Sequence, residues 1–279
     1  MKIFISTDME GIAGVVSWNE MKSNNKIYTT MQNTELNWVI ELIKESKLNE
    51  QVEEIVICDS HSRGENLPFG GISDHRVSWI RGYPRPFYMM QGLDNSFDLV
   101  MLLGYHGKVG SFRAGMDHTY AGSCIYNIRL NGKEVGETEI NAYYAGVFGV
   151  PVGLITGDDV LEKQVKEFFG NDFPFVRTKE GIGRFSAKVY HPVKVKKAYE
   201  KAFEKLLEQL DSLEVKKLNG EITLEVDLVT TVVADAVAII PGLTRTSGRT
   251  VRYTSTEYLE IFRMILAIAM LGGRFANYE

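Results

Sequence analysis

The chain has 279 residues, of which 44% are hydrophobic and 24% are charged, an ordinary composition for a soluble globular protein. Lysine and arginine number 31 and aspartate and glutamate 36, so the net charge is −5, and nucleic acid is not expected as the main partner. No apolar run reaches the length of a membrane span, and the first residues lack signal-peptide features. The two cysteines, Cys58 and Cys124, are far apart, which argues against a disulfide framework. We therefore expect a cytoplasmic location and no membrane partner.

Apolar runs and helical periodicity alternate through the first half of the chain, which predicts an α/β fold. A hairpin is predicted where an alternating segment, residues 123–130, is followed by Asn131-Gly132. Helices are predicted at about 33–47 and from Glu137 onward. Strands are predicted at residues 2–8, 52–58, 99–103 and 150–156.

The second half of the chain has a different pattern, with a charged amphipathic helix at about 192–210 and a strand at 221–233. A last helix is predicted between the capping box Thr254-Ser255-Thr256-Glu257 and Gly272. We predict a mainly parallel sheet flanked by helices in a domain of residues 1–186. A smaller C-terminal α+β domain of residues 187–279 is predicted to follow it.

Side chains that bind metals follow the predicted strands. Asp8 and Glu10 end the first strand, at a spacing that directs both carboxylates to the same side. His61 follows the second strand and His106 the third. Ligands of open α/β sheets bind outside the carboxyl ends of the strands, so we expect these four side chains on one rim. Two adjacent carboxylates repel each other unless a cation lies between them, and a divalent metal is the obvious candidate.

Two more candidates come from the segments around the predicted hairpin. Glu137 begins the helix after it, and His118 lies in the polar loop before it. Imidazole and carboxylate ligands without thiolate suit zinc, manganese or cobalt in a hydrolytic site. Three carboxylates and two histidines are enough for two ions that share Asp8 and activate a water. His118 is then left to transfer protons or to stabilise a transition state.

Each candidate also has a simpler interpretation. An acidic pair at a strand end is often a solvated loop or a helix cap, and His61 after Asp59-Ser60 fits a turn. His106 fits a buried histidine with satisfied hydrogen bonds, and Glu137 fits an acid that favours a helix N-terminus. Four segments that all end in metal-compatible residues are harder to explain in this way.

Short motifs surround the candidate residues in chain order, and together they cover nearly the whole chain. They are Asp8-Met9-Glu10-Gly11, Asp59-Ser60-His61-Ser62, Gly104-Tyr105-His106, Met116-Asp117-His118, Val135-Gly136-Glu137, Gly157-Asp158-Asp159 and Pro241-Gly242. This set resembles the zinc-dependent D-aminopeptidases of the DppA type, peptidase family M55. Residues 15–30 and the extreme C-terminus are less similar to the family pattern, and Glu139 adds an acid near the site.

The resemblance implies a ligand set, a catalytic residue and an assembly. It implies that His118 is catalytic and that two zinc ions are bound per subunit, with Asp8 shared between them. It also implies a homo-oligomer, a decamer of two stacked pentameric rings whose sites face an internal chamber. The implied metal ligands are Asp8, Glu10, His61, His106 and Glu137.

The predicted function is a metal-dependent aminopeptidase that removes N-terminal amino acids, expected to be D-amino acids, from short peptides or amino-acid amides. One alternative is another dinuclear hydrolase such as a phosphoesterase, for which Gly107-Lys108 after His106 is the only hint. A third is a non-catalytic, metal-stabilised assembly subunit. The sequence does not determine the D or L preference, the physiological substrate or the metal used in the cell.

Four further features are secondary candidates. Asp59 is a candidate partner that fixes a histidine tautomer, and Asn141 is a candidate for orienting a ligand or the substrate amine. Asp158 and Asp159 follow a strand, and helix capping is favoured over metal contact. For the basic loop 245–252, a subunit contact or a solvated loop is favoured over binding of a peptide carboxylate.

Overall fold

The computed structural model describes residues 1–22 and 27–277 of the chain. Residues 23–26, part of the less family-like segment 15–30, lie outside the described residues, as do 278 and 279. The strands are β1 (Lys2–Thr7), β2 (Glu54–Asp59), β3 (Val77–Ile80), β4 (Leu99–Leu103), β5 (Ile125–Leu130), β6 (Lys133–Glu134), β7 (Val152–Asp158), β8 (Phe175–Gly183), β9 (Ser186–Val189), β10 (Ile222–Leu228), β11 (Thr244–Arg245) and β12 (Thr250–Ser255). The helices are α1 (Asn19–Lys22), α2 (Ile27–Glu45), α3 (Glu137–Val147), α4 (Asp159–Phe169), α5 (Pro192–Gln209), α6 (Thr231–Val237) and α7 (Tyr258–Phe275), with short 3-10 turns at Tyr88–Met90 and Leu210–Ser212.

The larger sheet, sheet A, has the strand order β3-β2-β1-β4-β7-β8-β9. All neighbouring strands in it are parallel except β8 and β9. Every residue of β4 and β7 is buried, as expected for central strands covered on both faces. The predicted α/β class with a mainly parallel sheet is confirmed.

The second sheet, sheet B, is antiparallel with the order β11-β12-β10-β5-β6. β10 buries every second residue, so one of its faces packs inward and the other remains accessible. The predicted hairpin connects β5 to β6, and both residues of its turn, Asn131 and Gly132, have positive φ angles of 49° and 77°. This is the backbone conformation that Asn-Gly turns favour.

Sheet A separates two hydrophobic cores, because successive side chains of a strand point to opposite faces. Ile3 and Ile5 of β1 pack in one core with the apolar faces of α2 and α5. Phe4 points to the other side and joins a core with sheet B, α3 and α7. Sheet A is therefore the central layer, with α2 and α5 on one face and sheet B, α3 and α7 on the other.

The two sheets are not assembled from consecutive halves of the chain. β5 and β6 come from the first half but pair in sheet B, whereas β8 and β9 continue sheet A. The predicted junction between residues 186 and 187 falls within β9, and α5 still packs on sheet A. A division at that position therefore does not coincide with the division between the sheets.

Two predicted elements differ from the structure near the C-terminus. The strand predicted at 221–233 is shorter in the structure, because β10 ends at Leu228. The Thr230 hydroxyl accepts from the Val233 N–H at 3.3 Å, and residues 231–233 form the start of α6. The predicted capping box is wrong because Ser255 pairs with Ile222 as part of β12. The N-cap of α7 is Glu257, whose side chain makes no capping bond.

The last helix also continues past Gly272, where an end was predicted, to Phe275. A Cβ at Gly272 would lie 3.1 Å from Val233 and 3.2 Å from Cys124, so this glycine permits close packing of α7 on its neighbours. Within residues 1–22 and 27–277, no helix is both long and apolar enough to cross a membrane.

Candidate metal centre

The carboxyl ends of three adjacent parallel strands bring the first candidates together. β1 lies between β2 and β4, and Thr7 is in register with Asp59 on one side and Leu103 on the other. Asp8 therefore lies next to the segments that carry His61 and His106. Asp8 is 2% exposed and Glu10 is 1% exposed, which excludes a pair of solvated loop acids.

The turn after β1 is held close to β4. The Gly11 N–H donates to the Gly104 carbonyl at 2.7 Å, and a Cβ at Gly11 would lie 1.9 Å from the Tyr105 carbonyl oxygen. Only glycine fits this approach. It allows the chain to turn directly after Glu10 and keeps both carboxylates at the sheet edge.

Asp59 has a different role from the one predicted. Its carboxylate accepts from the Asn66 and Leu67 backbone N–H groups at 2.6 and 3.0 Å, and it is not hydrogen-bonded to a histidine. The Asn66 side chain connects Asp59 to the His61 carbonyl, with both bonds at 2.8 Å. Asp59 therefore shapes the loop that presents His61 and does not fix a tautomer.

Two groups of side chains form around Asp8. The Asp8 Oδ1 and the Glu10 Oε2 each lie 3.1 Å from the His61 Nδ1. The Asp8 Oδ2 lies 3.6 Å from the His106 Nε2, which is also 3.6 Å from the Glu137 Oε1. The two oxygens of Asp8 thus face two different histidines.

His106 is oriented by its backbone. Its Nδ1 lies 3.0 Å from the Gly107 carbonyl, which accepts only, so Nδ1 carries a proton and Nε2 is the nitrogen that could bind a metal once its own proton is lost. This Nε2 is buried and has no hydrogen-bond partner among the described residues. A ring nitrogen that faces two carboxylates at 3.6 Å is a position suited to a bound cation, which would take the place of its proton.

His118 stacks directly on His106. Its Nδ1 lies 2.9 Å from the Met116 carbonyl, so the neutral ring carries its proton on Nδ1, and its Nε2 points to the cluster. This Nε2 lies 3.7 Å from Glu137 and 4.0 Å from Glu10. All six predicted site residues are therefore brought together, and they line or adjoin a pocket of about 220 Å³.

The charges of this cluster are strongly coupled. Burial, followed by the neighbouring Glu10, raises the pKa of Asp8 to about 7. Burial opposes ionisation of Glu10 as well, but His61 outweighs it and holds the pKa of Glu10 well below its usual value. Burial lowers the pKa of His106, yet nearby carboxylates, Glu137 foremost, raise it to about 10. Three buried carboxylates thus need positive charge between them, which protonated His61 and His106 provide in the absence of a metal and which a bound metal ion would provide in their place.

The donor set and its geometry fit a metal. Ligand atoms of Asp8, Glu10 and His106 lie within 4.8 Å of one another, as do those of His106, His118 and Glu137. Carboxylate and imidazole donors suit zinc and similar divalent ions. The structure does not support a phosphate-binding role for Gly107-Lys108, because the Lys108 ammonium pairs with Glu134 at 3.1 Å.

Three residues at the site were not found from the sequence. The Trp18 indole N–H donates to Glu10 at 2.6 Å, and the Tyr120 backbone N–H donates to Glu137 at 2.6 Å. The buried Lys179 ammonium donates to the carbonyls of Glu10, Ile12 and Val15 and so holds the loop after β1. Each contact joins distant or irregular segments, for which the sequence carries no local pattern.

The secondary candidates lie around the site and not in it. Asp158 caps α4 through the N–H groups of Val160 and Leu161, as favoured. Asn141 orients two tyrosines, since it accepts from the Tyr120 hydroxyl and donates to the Tyr105 hydroxyl, both at 2.9 Å. Asp159 accepts from the Gly181 N–H, Glu139 from the Gly136 N–H, and Arg245 in loop 245–252 pairs with Asp235.

Comparison with known proteins adds a family to this geometry. The family model of the M55 peptidases, described as D-aminopeptidases, matches residues 1–267. The chain belongs to this family. A D-aminopeptidase of Bacillus subtilis (strain 168) is 28% identical over 281 residues, which are 98% of each chain. The solved structure of the zinc-dependent D-aminopeptidase DppA from Bacillus subtilis, a self-compartmentalizing protease, is 27% identical, with 98% of each chain covered and a TM-score of 0.90.

Membership in the M55 family decides between the predicted functions. The predicted metal-dependent aminopeptidase is confirmed at this level. A phosphoesterase and a non-catalytic assembly subunit are not favoured. The resemblance in the sequence motifs and the fold match identify the same family.

Proposed function

We propose that this M55 family member removes N-terminal D-amino acids from short peptides or amino-acid amides, with two zinc ions bound per subunit. The observation that carries this proposal is the division of Asp8 between two histidines, with Oδ1 toward His61 and Oδ2 toward His106. Such a carboxylate suits a bridge between two ions. The proposed ligands are Asp8, Glu10, His61, His106 and Glu137.

Zinc, when bound, supplies Lewis acidity that activates water and polarises the scissile carbonyl. The protein contributes a proton carrier in His118. Burial and the adjacent His106 lower the pKa of His118, so its imidazole is neutral near pH 7. With its Nδ1–H bound to the Met116 carbonyl, its Nε2 is free to accept a proton from the attacking water and to return it to the leaving amine.

The surrounding residues hold the reacting groups in place. Trp18 donates to Glu10 and packs edge-on against the His118 ring, with centroids 5.5 Å apart. Two divalent ions, when bound, would outweigh the charge of the three buried carboxylates, so the preference for a terminal amine is proposed from the relatives and not from the charge of the pocket.

The D preference and the assembly are proposed from the relatives. Both relatives are D-aminopeptidases, and the solved one is self-compartmentalizing. We propose a homo-oligomer of the same kind, a decamer of two stacked pentameric rings, whose mass in sedimentation would be ten times that of the chain. The two buried free cysteines, Cys58 and Cys124, fit the reducing cytoplasm, which we propose as the location.

A combined metal and substrate measurement tests the proposed function. We expect two zinc ions per chain by elemental analysis and faster hydrolysis of D-alanine p-nitroanilide than of the L isomer. A chelator should abolish both the metal and the activity, and added zinc should restore them. Absence of hydrolysis of either anilide by the zinc-loaded protein, with cleavage of bis(p-nitrophenyl) phosphate, would instead support the phosphoesterase.

A further inference from the structure

A second cavity of about 230 Å³ adjoins the metal pocket. Ser62, Tyr88 and Tyr120 line both cavities, so these three residues form a wall that the two cavities share. Adjacent residues of an extended peptide are about 3.5 Å apart along the chain. A substrate whose first residue lies in the metal pocket therefore places its next residue at or beyond this shared wall.

The shared wall is built with unusual backbone conformations. Ser62, Tyr88 and Tyr120 have φ angles of 54°, 41° and 58°, in the left-handed region that residues other than glycine seldom adopt. Such conformations cost free energy and concentrate at ligand sites. Three of them on one wall indicate that its position matters for a ligand.

Hydrogen bonds connect this wall to the proposed metal ligands. The Tyr120 N–H donates to the Glu137 carboxylate, and the Tyr120 hydroxyl donates to Asn141 at 2.9 Å. The Tyr88 hydroxyl donates to the Ser62 carbonyl at 3.1 Å. The second cavity is therefore fixed in position relative to the metal centre.

The second cavity combines an apolar side with one available cation. Leu266, Ala269 and Met270 of α7 form the apolar side. Arg63 also lines the cavity, is exposed, and has no ion pair or hydrogen bond to another residue in the described ranges 1–22 and 27–277. The neighbouring Arg85 differs, because it is 6% exposed and donates to the Asp59 carbonyl at 2.8 Å.

We propose that this second cavity binds the residue that follows the scissile bond and that Arg63 pairs with the free carboxylate of that residue. Its side chain packs against Leu266 and Met270. This inference rests on the proposed function, because it assumes a peptide whose N-terminus lies in the metal pocket. The preferred substrates are then two-residue peptides with a free C-terminus, since a guanidinium binds a carboxylate through charge-assisted hydrogen bonds.

Matched substrates and an Arg63 variant test this assignment. We compare D-alanyl-D-alanine, its C-terminal amide and D-alanine amide, using the zinc-loaded wild type and Arg63→Met. The wild type is expected to have a KM about tenfold lower for the free acid than for the dipeptide amide. Arg63→Met should remove this difference and leave D-alanine amide hydrolysis unchanged. The control is Arg81→Met, because Arg81 is exposed and lines neither cavity. This variant should keep the wild-type ratio of the KM values for the free acid and the dipeptide amide.

A second variant tests the apolar side of the cavity independently of charge. Ala269→Leu adds volume to the cavity wall and keeps a good helix former in α7. It should raise KM severalfold for both dipeptide substrates but not for D-alanine amide. An unchanged acid-to-amide ratio in Arg63→Met, with normal D-alanine amide hydrolysis, overturns this inference alone. Lack of D-alanine amide hydrolysis by the wild type overturns the proposed function itself.

Discussion

The imidazole rings of His106 and His118 lie parallel, with centroids 4.2 Å apart and an angle of 7° between their planes. Both rings direct Nε2 toward the Glu137 carboxylate, at 3.6 and 3.7 Å. The two histidines differ in exposure, because the His118 side chain is 14% exposed and the His106 side chain only 1%. His118 is therefore the more accessible of the two rings to a molecule in the pocket.

His118→Ala should separate catalysis from metal binding. We expect zinc content to remain at the wild-type level while kcat for D-alanine p-nitroanilide falls at least a hundredfold, because a positioned proton carrier is lost. His75→Ala, at a histidine whose side chain is 95% exposed, should behave as wild type. Full activity of His118→Ala would refute the proton-transfer role, and loss of zinc would identify His118 as a ligand.

Asp8→Ala should remove both zinc ions together, because each oxygen of Asp8 faces a different histidine. Elemental analysis after dialysis is expected to give less than one zinc per chain. Glu139→Gln is the matched control, since Glu139 is also buried but accepts from the Gly136 N–H at the start of α3. Two ions retained in Asp8→Ala would exclude a shared ligand.

Lys179→Met should loosen the loop that carries Glu10. The substitution leaves three buried carbonyls without their donor, so we expect the free energy of unfolding to fall by about 3 kcal/mol and zinc affinity to fall with it. Urea unfolding and competition with a chelator measure the two effects. Lys188→Met on β9 removes an exposed pair with Glu180 and should leave the free energy of unfolding close to that of the wild type. An equal effect of the two substitutions would contradict the role of Lys179.

Glu35 should make stability depend on pH. Its carboxyl group on α2 accepts from the Ala13 N–H and the Tyr199 hydroxyl, and burial raises its pKa from 4.5 to about 7. The folded protein therefore binds more protons than the unfolded chain between these values, and this contribution to stability, present below pH 4.5, is lost as the pH rises through 7.

Glu35→Gln should remove this dependence, a difference on the order of 3 kcal/mol in the change of unfolding free energy between pH 4.5 and 7.5. Urea unfolding at both pH values, for the wild type and the variant, provides the measurement. Glu45→Gln, at the exposed end of α2, should retain the wild-type pH dependence. Parallel pH profiles of the wild type and Glu35→Gln would show that Glu35 has the same pKa in the folded and the unfolded protein.

Gly11→Ala should destabilise the protein by about 3 kcal/mol, because the new Cβ would overlap the Tyr105 carbonyl oxygen. The displaced loop should also weaken zinc binding through Glu10. Gly273→Ala on the exposed face of α7, where a Cβ meets nothing within 4 Å, should instead stabilise by about 0.5–1 kcal/mol. Thermal unfolding with and without zinc compares the two, and a neutral Gly11→Ala would mean that the loop relaxes freely.

The sequence was sufficient for the parts of the site that depend on strand ends. Asp8, His61 and His106 each follow a strand of apolar residues, and parallel pairing alone brings such positions together. Glu137 could also be predicted as a site residue, because it follows a hairpin signal and lies at the start of a helix.

The contacts of Trp18 and Lys179 could not be predicted from the sequence. The Lys179 ammonium reaches carbonyls up to 169 residues away, and no local pattern encodes such a contact. Asp59 was assigned the wrong partner because its hydrogen bonds depend on how the loop to Asn66 and Leu67 returns. The capping box failed for a related reason, since strand pairing with Ile222 takes precedence over a local helix signal.

Glu137 begins α3, which follows the β5–β6 hairpin of sheet B and packs against α7, whereas Asp8 follows β1 at the carboxyl ends of the sheet A strands. An ion held by both residues would connect these two layers, in addition to their apolar packing and the hydrogen bond from Asn141 to Tyr105. Its binding free energy would then add to the cohesion of the whole subunit. Depletion of the metal is expected to accelerate amide hydrogen exchange in α3 and α7 as well as to stop turnover, so that the chemistry and the integrity of the subunit depend on the same few atoms.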